Sequence, residues 1–511
     1  MIKRILFLLL LIVVGYNTSV YAQQIVYSEP DREDARNINF EIIGKVENNF
    51  VVYKNYRDLH FFNVYDANMK LKNKVQLDNF HEKIYDADFI SYANFFYMIF
   101  QYQKKDIVYC SALKFNGDGK VVDDMIVLDT TKIGYNSSNK IYSVISSENK
   151  EKILLFKING KYQTANEVTT VLLDKYLKPL HKSKMMIKME GRKDFLTEFQ
   201  VDNDGNLAFI KATTYQNNNI NSAILITKPE LNDTVSVYNL SITNIYLKDI
   251  RLKVDNFNKH YLITSFFSGQ HRGNIDGLYT CLWDVTTKQT LVSNNILFND
   301  QLRADARGDG SIRGAFNNYF LQNIIMLHNG GFIVGAESVY TTANGNNFDD
   351  NFLMDPLGFS PFGFGLGYYN YGYSPFMGDY PWSRFGYGYG NNRGYYAKNI
   401  AVLSVTPDCK VEWGNIIKKD QYDDMTDMYI GYGLVNTGDM LHFLFNTMER
   451  RQNLITDLSI TPDGEVDKTP TLKNLDRGYE FMPHQLKQVS ARQFIVPCMY
   501  RNYICFARIE L

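Results

Sequence analysis

The chain has 511 residues, 21% of them charged, and a formal net charge of −1 at pH 7. A balance this close to neutral excludes a global positive field of the kind that attracts nucleic acid or an anionic membrane. Aromatic residues make up 14% of the chain, mostly Tyr and Phe, which favours strands over helices.

The N-terminal residues have the pattern of a secretory signal peptide. Lys3 and Arg4 precede the apolar run 5–15, and Ala22 completes a small-residue cleavage motif. We predict a signal peptide over residues 1–22, with no cysteine at the cleavage point for lipid attachment. No later apolar run reaches the roughly eighteen residues of a membrane-spanning helix, so no transmembrane segment is predicted after cleavage.

Residues 23–511 alternate short apolar runs with Asn, Asp and Gly turns and show almost no helical periodicity. A polar corner follows the second apolar run of each unit. It recurs every 50 to 58 positions, at Asp66, Asn116, Asp174, Lys228 and Asp284. The two clearest copies, Leu-Ser-Val-Thr-Pro-Asp at 403–408 and Leu-Ser-Ile-Thr-Pro-Asp at 458–463, are 55 positions apart.

A period near 50 with about four strands per unit is typical of propeller blades, because one four-stranded sheet cannot bury both faces alone. Seven corners are followed by a C-terminal unit that lacks a fourth strand, which residues 24–27 can supply. The sequence therefore predicts an all-β fold, a single β-propeller over residues 23–511. Eight blades are favoured and seven are the alternative, with the ring closed by the N- and C-terminal strands.

Five cysteines are present, so at least one thiol is unpaired. Cys498 and Cys505 flank a predicted turn at 500–502 and are expected to face each other across a hairpin. Two states of this pair are open: a disulfide, or buried reduced cysteines that act as small apolar residues.

The composition changes abruptly in an insertion predicted over residues 342–397. Within it, residues 351–396 contain ten Gly and sixteen aromatic residues. Loops of this length in compact domains are usually functional or disordered. Either the loop folds over the propeller and buries its own rings, or it docks on a partner, since aromatic residues dominate interface energetics. The docking interpretation predicts these partner-binding residues: Phe359, Phe362, Phe364, Tyr368, Tyr369, Tyr371, Tyr373, Phe376, Tyr380, Trp382, Phe385, Tyr387 and Tyr389.

No catalytic, cofactor-binding or metal-binding residue is predicted. The eight histidines include no H-E-x-x-H, and neither a G-x-S-x-G elbow nor a P-loop occurs. The loop 202–206 has the start of a calcium motif, but Leu207 and Thr213 replace the Gly and Glu that a calcium loop requires, so we predict a hairpin turn. Paired acids such as Asp123-Asp124 leave a propeller glycosidase as the alternative, although sialidase-type corners are missing.

The mature chain resembles the exported β-propeller envelope proteins of Bacteroidota, a group that includes the periplasmic plug of the type IX secretion translocon. The resemblance is carried by the Asn-, Lys- and Tyr-rich composition, by the corner Val-Tyr-Asp-Ala-Asn-Met at 64–69, and by the exported, non-lipidated start. It implies a periplasmic protein, peripherally associated with the outer membrane, whose partner is an envelope protein such as an outer-membrane barrel or the translocon.

Together these observations lead to one functional expectation. We expect a non-enzymatic periplasmic interaction protein that docks on an outer-membrane or secretion-system partner through the aromatic, Gly-rich loop. The alternative is a propeller glycan-binding protein or glycoside-active enzyme, for which acidic and aromatic side chains should cluster at the centre of the ring.

Overall fold

A computed structural model of the chain provides the structure. It describes residues 24–31, 38–56, 59–78, 83–134, 140–162, 164–191, 193–214, 219–271, 273–307, 315–316, 318–343, 393–424, 426–449, 452–468 and 478–511. The predicted signal peptide lies outside these residues, and so does most of the predicted insertion.

The first three blades are separate antiparallel meanders of four strands each, and blade 4 repeats this order within a nine-stranded sheet that it shares with blade 5. Blade 1 contains β2 (Ile38–Val46), β3 (Asn49–Tyr56), β4 (Leu59–Tyr65) and β5 (Leu71–Gln76). Blade 2 contains β6 (Ile84–Ser91), β7 (Phe95–Lys104), β8 (Ile107–Asn116) and β9 (Ile126–Lys132). Blade 3 contains β10 (Ser143–Ser146), β11 (Lys152–Tyr162), β12 (Ala165–Asp174) and β13 (Pro179–Lys188). Blade 4 contains β14 (Asp194–Val201), β15 (Leu207–Thr214), β16 (Ile220–Lys228) and β17 (Ser236–Asn239).

The other blades follow the same plan with local additions. Blade 5 contains β18 (Tyr246–Leu247), β19 (Arg251–Asp255), β20 (His260–Ser268), β21 (Gly277–Asp284) and β22 (Gln289–Leu297), and a short helix α1 (Asp300–Asp305) follows it. Blade 6 contains β23 (Tyr319–Met326), β24 (Phe332–Ala343), β25 (Arg393–Val405), β26 (Val411–Ile417) and β27 (Gln421–Asp423). Blade 7 contains β28 (Tyr432–Asn436), β29 (Leu441–Glu449), β30 (Gln452–Ile460) and β31 (Val466–Lys468).

Blade 8 joins the two ends of the chain. It contains β32 (Tyr479–Phe481), β33 (Lys487–Gln488), β34 (Gln493–Tyr500), β35 (Tyr503–Glu510) and, as its outermost strand, β1 (Gln24–Tyr27). A 3₁₀ turn at Pro483–Gln485 separates β32 from β33, which both pair with β34. Ile25 pairs with Ile509, and Tyr27 pairs with Ala507, so the predicted closure by the terminal strands is confirmed.

The cores lie between blades, and they show that the ring is closed. Within the described residues, eight clusters of buried apolar side chains each join one blade to the next. The last cluster packs Ile495 and Phe506 of blade 8 against Phe40 and Val52 of blade 1. Eight interblade cores in a circle require eight blades, so the favoured blade number is confirmed.

The predicted polar corner is the turn between the third and fourth strands. At Asp66 the side-chain Oδ1 accepts hydrogen bonds from the backbone N–H groups of Asn68 (2.8 Å) and Lys70 (3.0 Å), while Met69 adopts a left-handed φ of 56°. Asp, Asn and Thr are used at this position because each can accept such local bonds. The long gap between the corners of blades 5 and 6 is explained by α1 and by the segment between β24 and β25.

Chain direction defines two faces of the ring. The turns from first to second and from third to fourth strand lie on one face, called here the corner face. The turns from second to third strand lie on the opposite face, called the insertion face because the predicted insertion leaves blade 6 there, between β24 and β25. Among the described residues, no helix is long and apolar enough to cross a membrane.

Candidate functional site

The thirteen aromatic residues predicted to bind a partner all lie outside the described residues. The structure does describe the stem from which they leave the ring. This stem is the end of the β24–β25 ladder, which stays paired as far as Ala343 and Arg393. Both of these residues lie within the predicted insertion, residues 342–397. The strand β27 pairs with Tyr395–Ala397 and widens the stem to three strands.

The stem has one buried side and one side of stacked tyrosines. On the buried side Val339, Ala397 and Ile430 form a small apolar cluster. On the other side the rings of Tyr340 and Tyr396 stack at 4.7 Å, and Tyr422 continues the row at 4.8 Å. Tyr422 is 57% exposed, so the stem itself carries an exposed aromatic surface.

A buried ion pair anchors the base of the stem. Lys419 Nζ lies 2.7 Å from Glu337 Oε1, and both side chains are almost fully buried. Lys419 also donates hydrogen bonds to the Ala397 carbonyl (3.0 Å) and to Gln421 Oε1 (2.7 Å). Gln421 in turn donates to the carbonyl of Asn446 in blade 7. The base of the stem is therefore held by contacts with two blades.

Burial acts on both members of this ion pair in opposite directions. It raises the pKa of Glu337 and lowers the pKa of Lys419, while the attraction between the two groups opposes both shifts. Removing either partner would leave the other buried without its counter-charge, which is strongly destabilising. The Glu337–Lys419 ion pair thus fixes the position of the base of the stem.

A second group of charged side chains lies near the axis of the ring, where the first strands of neighbouring blades meet. It comprises Glu41 on β2, Asp86 and Asp88 on β6, Lys140 after blade 2, and Lys487 on β33. Lys140 Nζ lies 2.6 Å from Asp86 Oδ2 and 3.0 Å from Asp88 Oδ1. Glu41 Oε1 is buried and forms no hydrogen bond with the described residues.

Burial dominates the protonation of this axial cluster. It raises the pKa of Glu41 to about 8, against the opposing effect of Lys487, and it lowers the pKa of Lys487. It also raises the pKa of Asp88 to about 7 and outweighs the contacts from Lys140. Carboxyl groups that hold a proton near neutral pH are able to act as general acids. Among the described residues, the chemistry of this axial cluster therefore agrees best with the alternative that the protein is an enzyme.

The remaining sequence-based candidates occupy structural positions. The loop 202–206 is the hairpin turn between β14 and β15, in which Asp202 Oδ1 accepts from Asp204 and Asn206, as predicted. Cys498 and Cys505 face each other across the β34–β35 hairpin, also as predicted, with their sulfur atoms 3.1 Å apart and not bonded to each other. Among the described residues, no three His, Cys, Asp or Glu side chains converge closely enough to hold a metal ion.

The axial cluster and the Glu337–Lys419 pair were missed in the sequence. One signal was present: Glu41 and Glu337 each interrupt an apolar strand pattern, Phe-Glu-Ile-Ile and Gly-Ala-Glu-Ser-Val. An acid at a buried strand position needs a partner or a raised pKa. The lysine partners are far away in the sequence, and nothing in the linear pattern connects them.

Comparisons with known proteins give no family. No protein-family model matches the chain, and no curated protein matches it. Among solved structures, a prolyl endopeptidase aligns over 92% of this chain and 55% of its own, with 7% identity and a TM-score of 0.41. Prolyl oligopeptidase B from Galerina marginata aligns over 92% and 56%, with 7% identity and a TM-score of 0.39. The polysaccharide lyase Uly1 aligns over 83% and 89%, with 9% identity and a TM-score of 0.36.

The chain spans just over half the length of the prolyl peptidases that it aligns with. All three likenesses have a TM-score below 0.5, so none carries a functional argument. The assignment of the propeller rests on the strand topology and the circle of interblade cores.

Proposed function

We propose that the protein is a non-enzymatic interaction module of the cell envelope, which docks on an outer-membrane or secretion-system partner through its aromatic, Gly-rich insertion. The observation that carries this proposal is the stem. This three-stranded extension of blade 6, anchored by a buried ion pair and lined with tyrosines on one side, leads from one face of the ring into the insertion.

The completeness of the ring supports the same proposal. Among the described residues, which exclude 344–392, blade 6 has its four strands and packs on both neighbouring blades. Long loops add little closure entropy, so the blades can tolerate this segment without using it. Because the described blades form complete cores among themselves, the rings of this segment suit an intermolecular role better than a packing role.

Magnitudes indicate how the insertion would bind. Ordering one residue costs about 1–2 kcal/mol, while burying one large side chain contributes about 1.5–3 kcal/mol. The thirteen candidate rings therefore cannot offset the ordering of all 49 residues between β24 and β25. Docking through a few rings, with the rest of the segment left free, is the favourable arrangement.

The test is a replacement of residues 344–392 by a short Gly-Ser linker, which leaves the stem intact. We expect a folded ring with nearly unchanged circular dichroism and melting temperature, because blade 6 has its four strands and both interblade cores among the described residues. We also expect loss of the partner that the intact protein retains when it is purified from the solubilised cell envelope of its native organism. Mass spectrometry of the two preparations identifies that partner.

A matched control lies within the same segment. Replacing Asp355, Asp379 and Arg384 by Ser removes charge but keeps every ring, so the partner should be retained. Replacing the thirteen candidate rings by Ser should release it. Retention of every partner by the shortened protein would refute the docking proposal, and unfolding of the shortened protein would show that the insertion belongs to the core.

A second function is favoured by the axial cluster alone. Glu41 and Asp88 have the raised pKa values of proton donors and lie where propellers hold ligands. A glycan-binding or glycoside-active centre would use them on a sugar that enters along the axis. Binding of an oligosaccharide that Glu41→Gln weakens would move the proposal to this alternative.

A further inference from the structure

The rim of blade 2 carries an unusual run of exposed apolar residues on the corner face. Within residues 121–127, five large apolar side chains are between 43% and 51% exposed: Val121, Val122, Met125, Ile126 and Val127. Single exposed apolar residues are normal on protein surfaces, but a contiguous group of them marks an interaction site. This run leads directly into β9, whose outer edge pairs with no strand of the described residues.

The edge of β9 lacks the exposed lysines that the outermost strands of the two neighbouring blades carry along their length. Free strand edges are usually blunted by lysines. Lys72 and Lys74 are exposed on β5 in blade 1, and Lys182 and Lys184 are exposed on β13 in blade 3. In β9 the charged residues come only in the second half of the strand, so its first half offers unpaired backbone groups beside apolar side chains.

A cleft lies beside this edge, between blades 2 and 3. Its volume is about 180 Å³. The buried residues Ala112 and Leu177 form its floor, and Ile126 belongs to its wall. Pockets for small-molecule ligands usually measure about 300–1,000 Å³. This cleft is smaller, and its size suits one side chain of a partner protein.

The mouth of the cleft has acidic character. Asp123 and Asp124 line it together with Tyr176, which is 59% exposed. Lys114 lines it too, but its ammonium group lies 3.0 Å from Asp123 and also over the ring of Phe95. No cation among the described residues forms an ion pair with Asp124. A side chain with an apolar stem and a cationic head, arginine or lysine, therefore complements the apolar floor and the acidic mouth.

We propose that the free edge of β9 accepts an extended segment of a partner protein as an added strand, with a basic side chain of that segment seated in the cleft below Asp124. Backbone hydrogen bonds to the edge would supply affinity, and the cleft would supply selectivity, as in other cases of strand addition. This surface is distinct from the stem of blade 6. It lies on the corner face of blades 2 and 3, whereas the stem leaves the insertion face of blade 6.

The test uses three labelled six-residue peptides and the full-length mature chain, with binding followed by fluorescence anisotropy. The first peptide has an arginine near its centre with valines on either side. The second has glutamate in place of arginine. The third keeps the arginine but has N-methyl groups on the backbone amides that would pair with β9. We expect the first to bind with a dissociation constant below about 1 mM, the second at least about tenfold more weakly, and the third not at all.

Protein variants assign the binding to this edge. Asp124→Asn should remove the preference for arginine, and Ile126→Lys should abolish binding. Val237→Lys is the matched control, since Val237 is an exposed apolar residue on β17, the outermost strand of blade 4, and this variant should bind like the parent. Equal binding of the three peptides, no binding of the first, or equal effects of the two lysine variants would each overturn the proposal. So would a homodimer that Ile126→Lys dissociates, since the occupant would then be a second copy of this chain.

Discussion

At the scale of single residues, the described part of the ring shows how charge is placed inside an apolar fold. Lys54 is 1% exposed, yet its ammonium group contacts Asp31 in the segment after β1 and lies over the ring of Phe506. Such a pair is weak evidence for net stability, because desolvation of both charges opposes their attraction. It does specify a geometry, and here it ties the N-terminal strand to blade 1.

Glu41→Gln is expected to remove a pH-dependent loss of stability. Burial raises the pKa of Glu41 from 4.5 to about 8, so the folded protein holds this proton more tightly than the unfolded chain does. The free energy of unfolding must therefore fall as the pH rises from about 4.5 to about 8. At about 1.4 kcal/mol per pKa unit, the parent should lose on the order of a few kcal/mol relative to Glu41→Gln between pH 5 and pH 8 in urea unfolding.

The surrounding charges are common to both proteins, so the difference between the two curves reports Glu41 together with the groups that are coupled to it. Lys487, Asp86, Asp88 and Lys140 face it from blade 8, from blade 2 and from the segment after blade 2. Glu47→Gln, at an exposed position in the turn after β2, serves as the control for replacing a glutamate by glutamine. A constant difference between the parent and Glu41→Gln at every pH would mean that Lys487 keeps the carboxylate ionised.

At the scale of elements, the turns repeat more faithfully than the strands. Gly119, Gly464 and Met69 take the same place in the corners of blades 2, 7 and 1, with φ values of 76°, 84° and 56°. The polar residue three positions earlier could be found in the sequence because its side chain accepts hydrogen bonds from backbone groups of the same turn. Strand lengths could not be found in this way, because they depend on packing against the neighbouring blade.

Gly464→Ala is expected to destabilise blade 7 by more than its backbone conformation alone requires. A Cβ atom at this position would lie 2.6 Å from the Trp413 ring, whose Nε1 donates to the Pro462 carbonyl. The control is Gly438→Ala, which has a similar φ of 94° but no atom within 4 Å of the added carbon. We expect a loss of about 1–2 kcal/mol for Gly438→Ala and about 1–3 kcal/mol more for Gly464→Ala.

Urea unfolding measures both losses, and tryptophan fluorescence reports the displacement of Trp413. The emission maximum should shift in Gly464→Ala and stay unchanged in Gly438→Ala, because only the former crowds the indole ring. Equal losses in the two variants would show that the corner moves aside without strain.

At the scale of the whole molecule, the repeat in the sequence was sufficient to predict an all-β ring, its period and its closure. Each of these depends on local turns and on apolar runs, which are visible along the chain. The stem of blade 6 could not be predicted in the same way. Its ion pair joins Glu337 to Lys419, and its hydrogen bonds reach Asn446 in blade 7, so it exists only once the blades are in place.

The pairing of the N-terminal strand β1 with the C-terminal strand β35, called here the latch, is the feature of the whole ring most open to experiment. Deleting residues 23–29 removes the pairing of β1 with β35, the stacking of Tyr27 on Tyr479 at 4.3 Å and the contact of Ile25 with the core between blades 7 and 8. Both side chains are only partly buried, so from them alone we expect the free energy of unfolding to fall by about 1–3 kcal/mol.

Hydrogen exchange separates loss of the latch from a general loss of stability. Amides of β35 should exchange much faster in the truncated protein, whereas those of β15 in blade 4, on the far side of the ring, should change little. A synthetic peptide of residues 23–29 added in excess should restore protection of β35, and a scrambled peptide should not, because register matters at a strand edge. Without the peptide, the exposed edge of β35 should also promote association of the truncated chains at high concentration. The truncated protein could instead keep both its stability and the slow exchange of β35. That outcome would show that side-chain packing between blades 8 and 1 closes the ring, and that β1 adds little to its stability.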